Sequence, residues 1–337
     1  MNRAARLHGA RDLRLADESV PAAAPNELLL EISAVGLCGS DRHQYLEGGI
    51  GGDPIERPLV LGHEVGGVVA AGDHAGQRVA IDPAIPCRAC ETCRKGLAHL
   101  CPEMRFAGLG RTDGGLQRYL AWPANRCVRM PDSIVDDDVP MLEVLGIALH
   151  ALDLGGAAAG MRAGVFGSGP VGLIVIRALR AIGADVVIAT DRLPSRLQAA
   201  EASGAATTAL VTENGGSAGL PAVDVAFECA GEPDATDDAL RTLVPGGLVL
   251  LVGIPEGPRA SHVAGPARRK ELGLKWVRRM ADGDLARAVE AVETGRVSLA
   301  GLVTARYDLD AVGPAFEALA ARSELKIVVT PRTGLAG

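Results

Sequence analysis

The sequence predicts an α/β protein of two domains, one rich in β-strands and one built on a doubly wound parallel sheet. Three observations carry this. The chain has 337 residues, more than the roughly 250–300 that one hydrophobic core usually serves. From about Gly146 apolar strands alternate with helical patterns, which is the signature of a parallel sheet covered on both faces. The glycine pattern Gly167-Ser168-Gly169-Pro170-Val171-Gly172 falls between the first such strand and its helix. Hydrophobic residues make up 48% but aromatics only 3%, beside 43 glycines and 20 prolines, so the cores must be aliphatic and the backbone must turn often.

In chain order, residues 27–33, 65–71 and 77–82 read as short strands separated by Gly, Pro and Asp. The alternating region then reads as strand 163–166, helix 171–182, strand 185–189, helix 195–203, strand 223–228, helix 234–243 and strand 248–252. An amphipathic helix 285–294 follows, then strand 303–308, helix 312–321 and a last strand 326–330. The expected division is 1–145 with 280–337 for the β-rich domain, and 146–279 for the parallel-sheet domain inserted into it. Neither an internal repeat nor low complexity beyond an Ala/Gly bias is present.

Charge excludes some functions. Lys and Arg number 34 against 41 Asp and Glu, a formal charge of −7, whereas a protein held to nucleic acid by phosphate contacts shows a basic excess. The one dense basic stretch, Arg268-Arg269-Lys270, reads as solvated surface. No run reaches the roughly 18–20 uncharged apolar residues of a membrane span. Arg3, Arg6, Arg11 and Arg14 near the start have no apolar segment behind them, unlike a secretory signal. A cytoplasmic protein without nucleic-acid or membrane partners is the expectation.

The glycine pattern has a dinucleotide's requirements. Gly167 permits a tight turn, Gly169 lets backbone approach a pyrophosphate at a helix N-terminus begun by Pro170 and Val171, and Gly172 allows close helix packing. Asp191, 22 residues after Gly169, would accept hydrogen bonds from the adenosine ribose diol and repel a 2′-phosphate. This favours NAD over NADP, although Arg192 and Arg196 just beyond could accommodate that phosphate.

Four of the seven cysteines, Cys87, Cys90, Cys93 and Cys101, fall within fifteen residues. Four thiolates close a tetrahedral Zn²⁺ site with no position left for substrate, so a structural zinc in a lobe spanning 86–102 is expected. A zinc-ribbon nucleic-acid module is opposed by the acidic charge. Cys38-Gly39-Ser40-Asp41-Arg42-His43 and Gly62-His63-Glu64 lie in the β-rich part. A thiolate, an imidazole and a carboxylate from separated segments would leave a fourth zinc position open, the catalytic arrangement. Cys127 and Cys229, and His8, His74, His99, His150 and His262, read as packing or surface residues.

Together these motifs resemble the zinc-containing medium-chain alcohol dehydrogenases over nearly the whole chain. The segment 58–65, Met104-Arg105-Phe106, Asp113-Gly114-Gly115 and Lys326-Ile327-Val328 are most similar to the polyol branch of sorbitol, xylitol and L-idonate dehydrogenases. Glu143, seven residues before His150, matches that branch's E-P-L-x-V-x-x-H segment, with Val144 where the family has proline. The resemblance implies a GroES-like catalytic domain and a Rossmann coenzyme domain. It implies a catalytic zinc on Cys38, His63 and a glutamate, with Glu64 and Glu143 both candidates, beside the structural zinc. It implies hydride transfer from a secondary alcohol of a polyol, sugar acid or cyclitol to NAD, giving a ketone, with Ser40 and His43 as the proton relay. Arg278 matches the arginine of a K-G-x-x-R segment and is implied on the substrate side; Tyr45 and Arg111, in loops, are further candidates. A homotetramer or homodimer is implied. Rival readings are an L-threonine 3-dehydrogenase, an aminocyclitol dehydrogenase of antibiotic biosynthesis and, from another class, a non-catalytic zinc-stabilised NAD-binding protein.

Overall fold

A computed structural model describes residues 1–50, 52–185, 187–212, 216, 218–255 and 259–331. Gly51, and Val186 in the expected strand 185–189, lie outside the described residues. The chain forms two compact units, Met1–Glu143 with Ala281–Glu293 and Leu299–Gly337, and Val144–Met280 with Thr294–Ser298.

The first unit is organised by the ten-residue strand Glu27–Gly36. It pairs antiparallel with Glu64–Val69, Tyr119–Pro123 and Lys326–Thr330 in a seven-stranded sheet. Alternating Leu30 and Ile32 bury completely against Leu61, Val65, Trp122, Phe316 and Val329. A register shift between Ile32 and Ala34 changes which face of the sheet the following side chains take relative to the partner strand. Past it the strand is buried on both sides and runs directly into Cys38. A second, three-stranded sheet is made by the hairpin Asn2–Gly9 and Asp12–Glu18 with Leu59–Val60.

The second unit is a six-stranded parallel sheet in the order Thr207–Leu210, Val187–Asp191, Ala163–Phe166, Val223–Glu228, Leu243–Leu251, Gly273–Trp276. Counted within the unit the order is 3-2-1-4-5-6, the doubly wound arrangement. Its core is aliphatic apart from Phe166 and Phe227, in keeping with the low aromatic content. The strand order reverses between the parallel neighbours Ala163–Phe166 and Val223–Glu228, and the glycine pattern begins at the carboxyl end of the first of these. In such sheets that switch point is where ligands bind.

Candidate active site

The open metal cluster is assembled at the ends of paired strands. Cys38 caps the helix Gly39–Glu47, its N–H donating to Asp41 Oδ2 at 3.0 Å. Gly36 and Glu64 are register partners across the sheet, and a Cβ on Gly36 would sit 2.0 Å from Glu64 Oε2. Glycine is required there because the carboxylate occupies that space. Gly62, at φ +92, turns the chain into His63 and donates its N–H to Asp41 Oδ1 at 3.3 Å. Ligand atoms of Cys38, His63 and Glu64 thereby come within 4.8 Å of one another, and His63 and Glu64 are buried.

Two buried residues that sequence reasoning passed over shape this cluster. Asp41 is fully buried and lies 3.7 Å from His63 Nδ1. A carboxylate behind a ligand histidine fixes the ring's orientation and raises its basicity. Lys326, 2% exposed, directs its ammonium to Glu64 Oε1 and Oε2 at 2.7 and 2.5 Å and to Leu37 O at 3.2 Å. A lysine inside a strand that is otherwise apolar was the available signal. Burial works against its charge, but Glu64, with Cys38 and Glu143, outweighs it and holds the ammonium above its ordinary range. His63 is likewise held well above its ordinary range: burial opposes the charge, and Asp41 and Cys38 favour it more.

Glu143 comes from the first turn of the helix Pro140–Gly155. The helix continues through Val144 without interruption, so the missing proline leaves the carboxylate where the helix puts it. Glu143 is 3% exposed and its Oε2 finds no hydrogen-bond partner. Burial pushes its carboxyl up to about 7; His63 and Lys326 favour its charge and Glu64 opposes it. A buried carboxylate oxygen without a donor costs on the order of 1–3 kcal/mol. Three carboxylates and a thiol thus surround one ammonium and one imidazole, a donor set with room and charge for a divalent cation.

The second cluster fits a closed ion. Four thiolates around Zn²⁺ at about 2.3 Å define a tetrahedron with edges of about 3.8 Å. The Sγ–Sγ separations are 3.5 Å for Cys87–Cys101, 3.8 Å for Cys90–Cys101 and 4.0 Å for Cys87–Cys93. Backbone N–H groups point at the sulfurs, from Ala89 and Cys90 to Cys87 and from Cys93 to Cys90. The donors at Cys87 pull its thiol down to about 6, prepared for a metal. No disulfide joins any of the seven cysteines.

In the parallel-sheet unit, Gly167 adopts φ +101, and a Cβ on Gly172 would overlap Gly167 O at 1.9 Å. A Cβ on Gly169, by contrast, would meet only Arg196 Nη1 at 3.7 Å, leaving open space before a helix, Pro170–Ala181, that no side chain caps. Helix packing and room for phosphate are both provided. Asp191 ends the neighbouring strand. It accepts from Ser168 N and Leu193 N at 2.8 and 2.9 Å, each oxygen retaining acceptor capacity. Arg196 lies 3.8 Å from Asp191, and Arg192 is turned to Asp234 at 3.5 Å. Glu228, unremarked in the sequence, is buried beside this turn; burial pushes it up to about 7, and its Oε1 braces Ala230 N and Gly231 N at 2.7 Å each.

The other expected residues are dispersed. Ser40 and His43 lie on the helix that Cys38 begins. Tyr45 turns inward, packing at a tilt of 49° against Phe316 with ring centroids 5.0 Å apart and donating its hydroxyl to Glu317 at 2.6 Å. Arg111 is exposed and paired with Glu56 at 3.1 Å. It lines a cavity of about 700 Å³ with Arg57, Phe106, Thr112 and Asp113. Phe106 also packs on His63, with centroids 5.5 Å apart, so one ring touches both the cavity and a residue of the metal cluster. Arg278 follows the edge strand Gly273–Trp276 and is exposed. No helix among the described residues is long and apolar enough to cross a membrane.

Known proteins share this framework. Residues 24–132 match the alcohol dehydrogenase GroES-like domain and residues 170–294 the zinc-binding dehydrogenase domain. Sorbitol dehydrogenase of Bacillus subtilis is 32% identical over 343 residues, covering 98% of this chain and 97% of its own. L-idonate 5-dehydrogenase of Escherichia coli superposes with a TM-score of 0.90 at 28% identity, covering 98% of both chains. A Sinorhizobium meliloti protein solved with NADP bound superposes at 0.88 with 30% identity, covering 98% of this chain and 99% of its own.

Proposed function

The chain belongs to the zinc-containing medium-chain alcohol dehydrogenases, and from that premise we propose that it oxidises a secondary alcohol of a polyol, sugar acid or cyclitol to the ketone, with NAD as hydride acceptor. The observation that carries this is the open cluster, in which Cys38, His63 and Glu64 converge beside the orphaned carboxylate of Glu143. A third thiolate would suit an aliphatic alcohol; a second carboxylate makes the site harder and more polar, as a hydroxylated substrate requires. Sorbitol dehydrogenase and L-idonate 5-dehydrogenase among its relatives agree with that class.

When bound, zinc would supply Lewis acidity that lowers the alcohol's pKa, and the dinucleotide would accept hydride. The chain's own residues do the rest. Cys38, His63 and Glu64 hold the metal, Asp41 orients His63, and Lys326 fixes both oxygens of Glu64 in place in the interior. Glu143 offers its free oxygen to the metal or to a hydroxyl beside it. Ser40 and His43 take the proton away. Gly167, Gly169, Pro170, Val171 and Gly172 seat the pyrophosphate and Asp191 the ribose diol, with Arg192 and Arg196 leaving some tolerance for NADP. Zinc on Cys87, Cys90, Cys93 and Cys101 fixes the lobe. A cytoplasmic homo-oligomer, dimer or tetramer, completes the reading.

The test is a substrate panel of sorbitol, xylitol, L-idonate, L-threonine and inositols with NAD and with NADP, followed by reduced-nicotinamide absorbance. Turnover of a polyol or idonate by the zinc-loaded protein, lost on chelation, supports the proposal. Turnover of threonine alone selects the amino-acid reading, and nucleotide binding without turnover of any substrate sinks the enzymatic one.

A further inference from the structure

Ser40, His43 and Glu47 occupy positions i, i+3 and i+7 of the helix Gly39–Glu47, so the three side chains form one stripe running away from Cys38. His43 is 9% exposed, and its Nδ1 lies 2.8 Å from Glu47 Oε1. The Glu47 side chain is 48% exposed. The stripe therefore begins beside the metal cluster and ends in water.

Helix stability does not account for this pair. Glu47 is the last helical residue and no basic residue occupies the last turn, so its charge faces the negative end of the helix dipole, an arrangement that costs about 0.3–1 kcal/mol. Histidine preceding glutamate is also the weaker order for an i,i+4 pair. Charged groups on the elements packed against this helix are engaged elsewhere. Arg3 pairs with Asp310 and Arg6 with Glu18 and Asp113 on the strand side. Glu317 on the helix Val312–Ala321 holds Tyr45 and Arg11, and His8 is exposed.

We propose that Glu47 is a positioning residue for His43: it fixes the Nδ1–H tautomer, leaves Nε2 as the proton-accepting nitrogen, and passes the Nδ1 proton to solvent. This rests on the relay role of His43 proposed above. A proton taken at Nε2 makes imidazolium; the Nδ1 proton moves to the Glu47 carboxylate and on to water, and exchange with water then returns a proton to Nδ1 as Nε2 gives up its own, so the tautomer is restored with one net proton released per hydride transferred.

The experiment is ¹⁵N NMR of the histidine rings in the zinc-loaded protein with NAD bound, the His43 signals assigned by their loss in His43→Ala. The wild type is expected to show protonated Nδ1 and bare Nε2. Glu47→Gln, which can accept the same bond, keeps this tautomer; Glu47→Ala moves it toward Nε2–H. With the polyol turned over fastest in the panel, Glu47→Ala lowers kcat about tenfold at unchanged KM, and added formate restores part of the loss, which a merely structural role would not allow. Thermal unfolding confirms that the variants are folded. An Nε2–H tautomer in the wild type overturns the proposal. So does a Glu47→Ala enzyme with unaltered tautomer and kcat while His43→Ala is impaired, and in that case the relay stands. If His43→Ala turns over normally, the relay reading itself falls and the proposal with it.

Discussion

Cys87, Cys90, Cys93 and Cys101 come from fifteen consecutive residues, and their sulfurs are organised by backbone N–H groups of the same loop. Cys38, His63, Glu64, Glu143 and Lys326 come from five positions spread over nearly the whole chain, and meet only because the strands Glu27–Gly36, Glu64–Val69 and Lys326–Thr330 pair. The first cluster offers four equivalent soft donors and nothing else. The second, with Asp41 behind His63, holds three carboxylates, an ammonium and an orphaned oxygen in the interior, where isolated charge is costly. A site that only has to hold an ion can be local; one that must leave a coordination position open needs the fold to impose it.

That contrast is broken most directly at Cys38. Cys38→Ser is expected to lower turnover by about 10³-fold, or about 4 kcal/mol of barrier, and to remove one of two bound zinc ions while leaving the fold intact. Metal analysis beside steady-state rates checks it. Loss of both ions would mean that the clusters are not independent.

The interior carboxylates give the second effect. Burial raises Glu143 from 4.5 to about 7, so the folded metal-free protein binds this proton more tightly than the unfolded chain. Below about pH 4.5 both states are protonated and no penalty exists. As pH rises from there to about 7 the folded state loses up to about 3 kcal/mol of stability. Denaturation of the metal-free protein across this window should show the slope, and Glu143→Gln should abolish it. Zinc favours the charged carboxylate, so its affinity at this site should rise with pH over the same range.

The thiolate lobe should behave oppositely. Cys90→Ser should release its zinc and lower the melting temperature, yet reduce the kcat of surviving protein by less than about tenfold, because no lobe cysteine touches substrate in the proposed mechanism. A loss as deep as that of Cys38→Ser would erase the distinction between the two clusters.

The same contrast explains what the sequence disclosed. The quartet was visible from spacing alone, and strands Ala163–Phe166, Val223–Glu228 and Lys326–Thr330 from apolar runs and Val303–Asp308 from alternation, because in each case neighbours in sequence do the work. The helix Gly39–Glu47 escaped the periodicity reading. Its buried residues are Asp41, His43, Gln44 and Tyr45, largely polar because they serve the site, so no apolar stripe marks it. Pro140–Gly155 escaped for the opposite reason, being apolar on nearly every face. Lys326 and Asp41 matter through partners 262 and about 20 residues away, which only the register of the strands reveals. Tyr45 looked like a loop residue and is instead packed on Phe316, a contact made across 271 residues.

The smallest expected effect tests how far the lobe depends on anything outside its sulfurs. Arg88 sits between Cys87 and Cys90 at φ +60, a left-handed conformation costing about 1–2 kcal/mol for a residue with a Cβ. Its guanidinium reaches Asp282 at 2.5 Å, but both side chains are well exposed, and such pairs contribute about 0–1 kcal/mol. Arg88→Gly removes the pair and the strain together, whereas Arg88→Ala removes the pair and keeps the strain. The glycine variant should therefore unfold within about 0.5 kcal/mol of wild type, with the alanine variant up to about 1 kcal/mol below it, as read from denaturant midpoints of the zinc-loaded proteins. If the glycine variant fell well below alanine, the loop rigidity that glycine gives up would outweigh the relieved strain and would be what prepares the four thiolates. The lobe would then share with the catalytic cluster a dependence on backbone preorganisation that its spacing does not display.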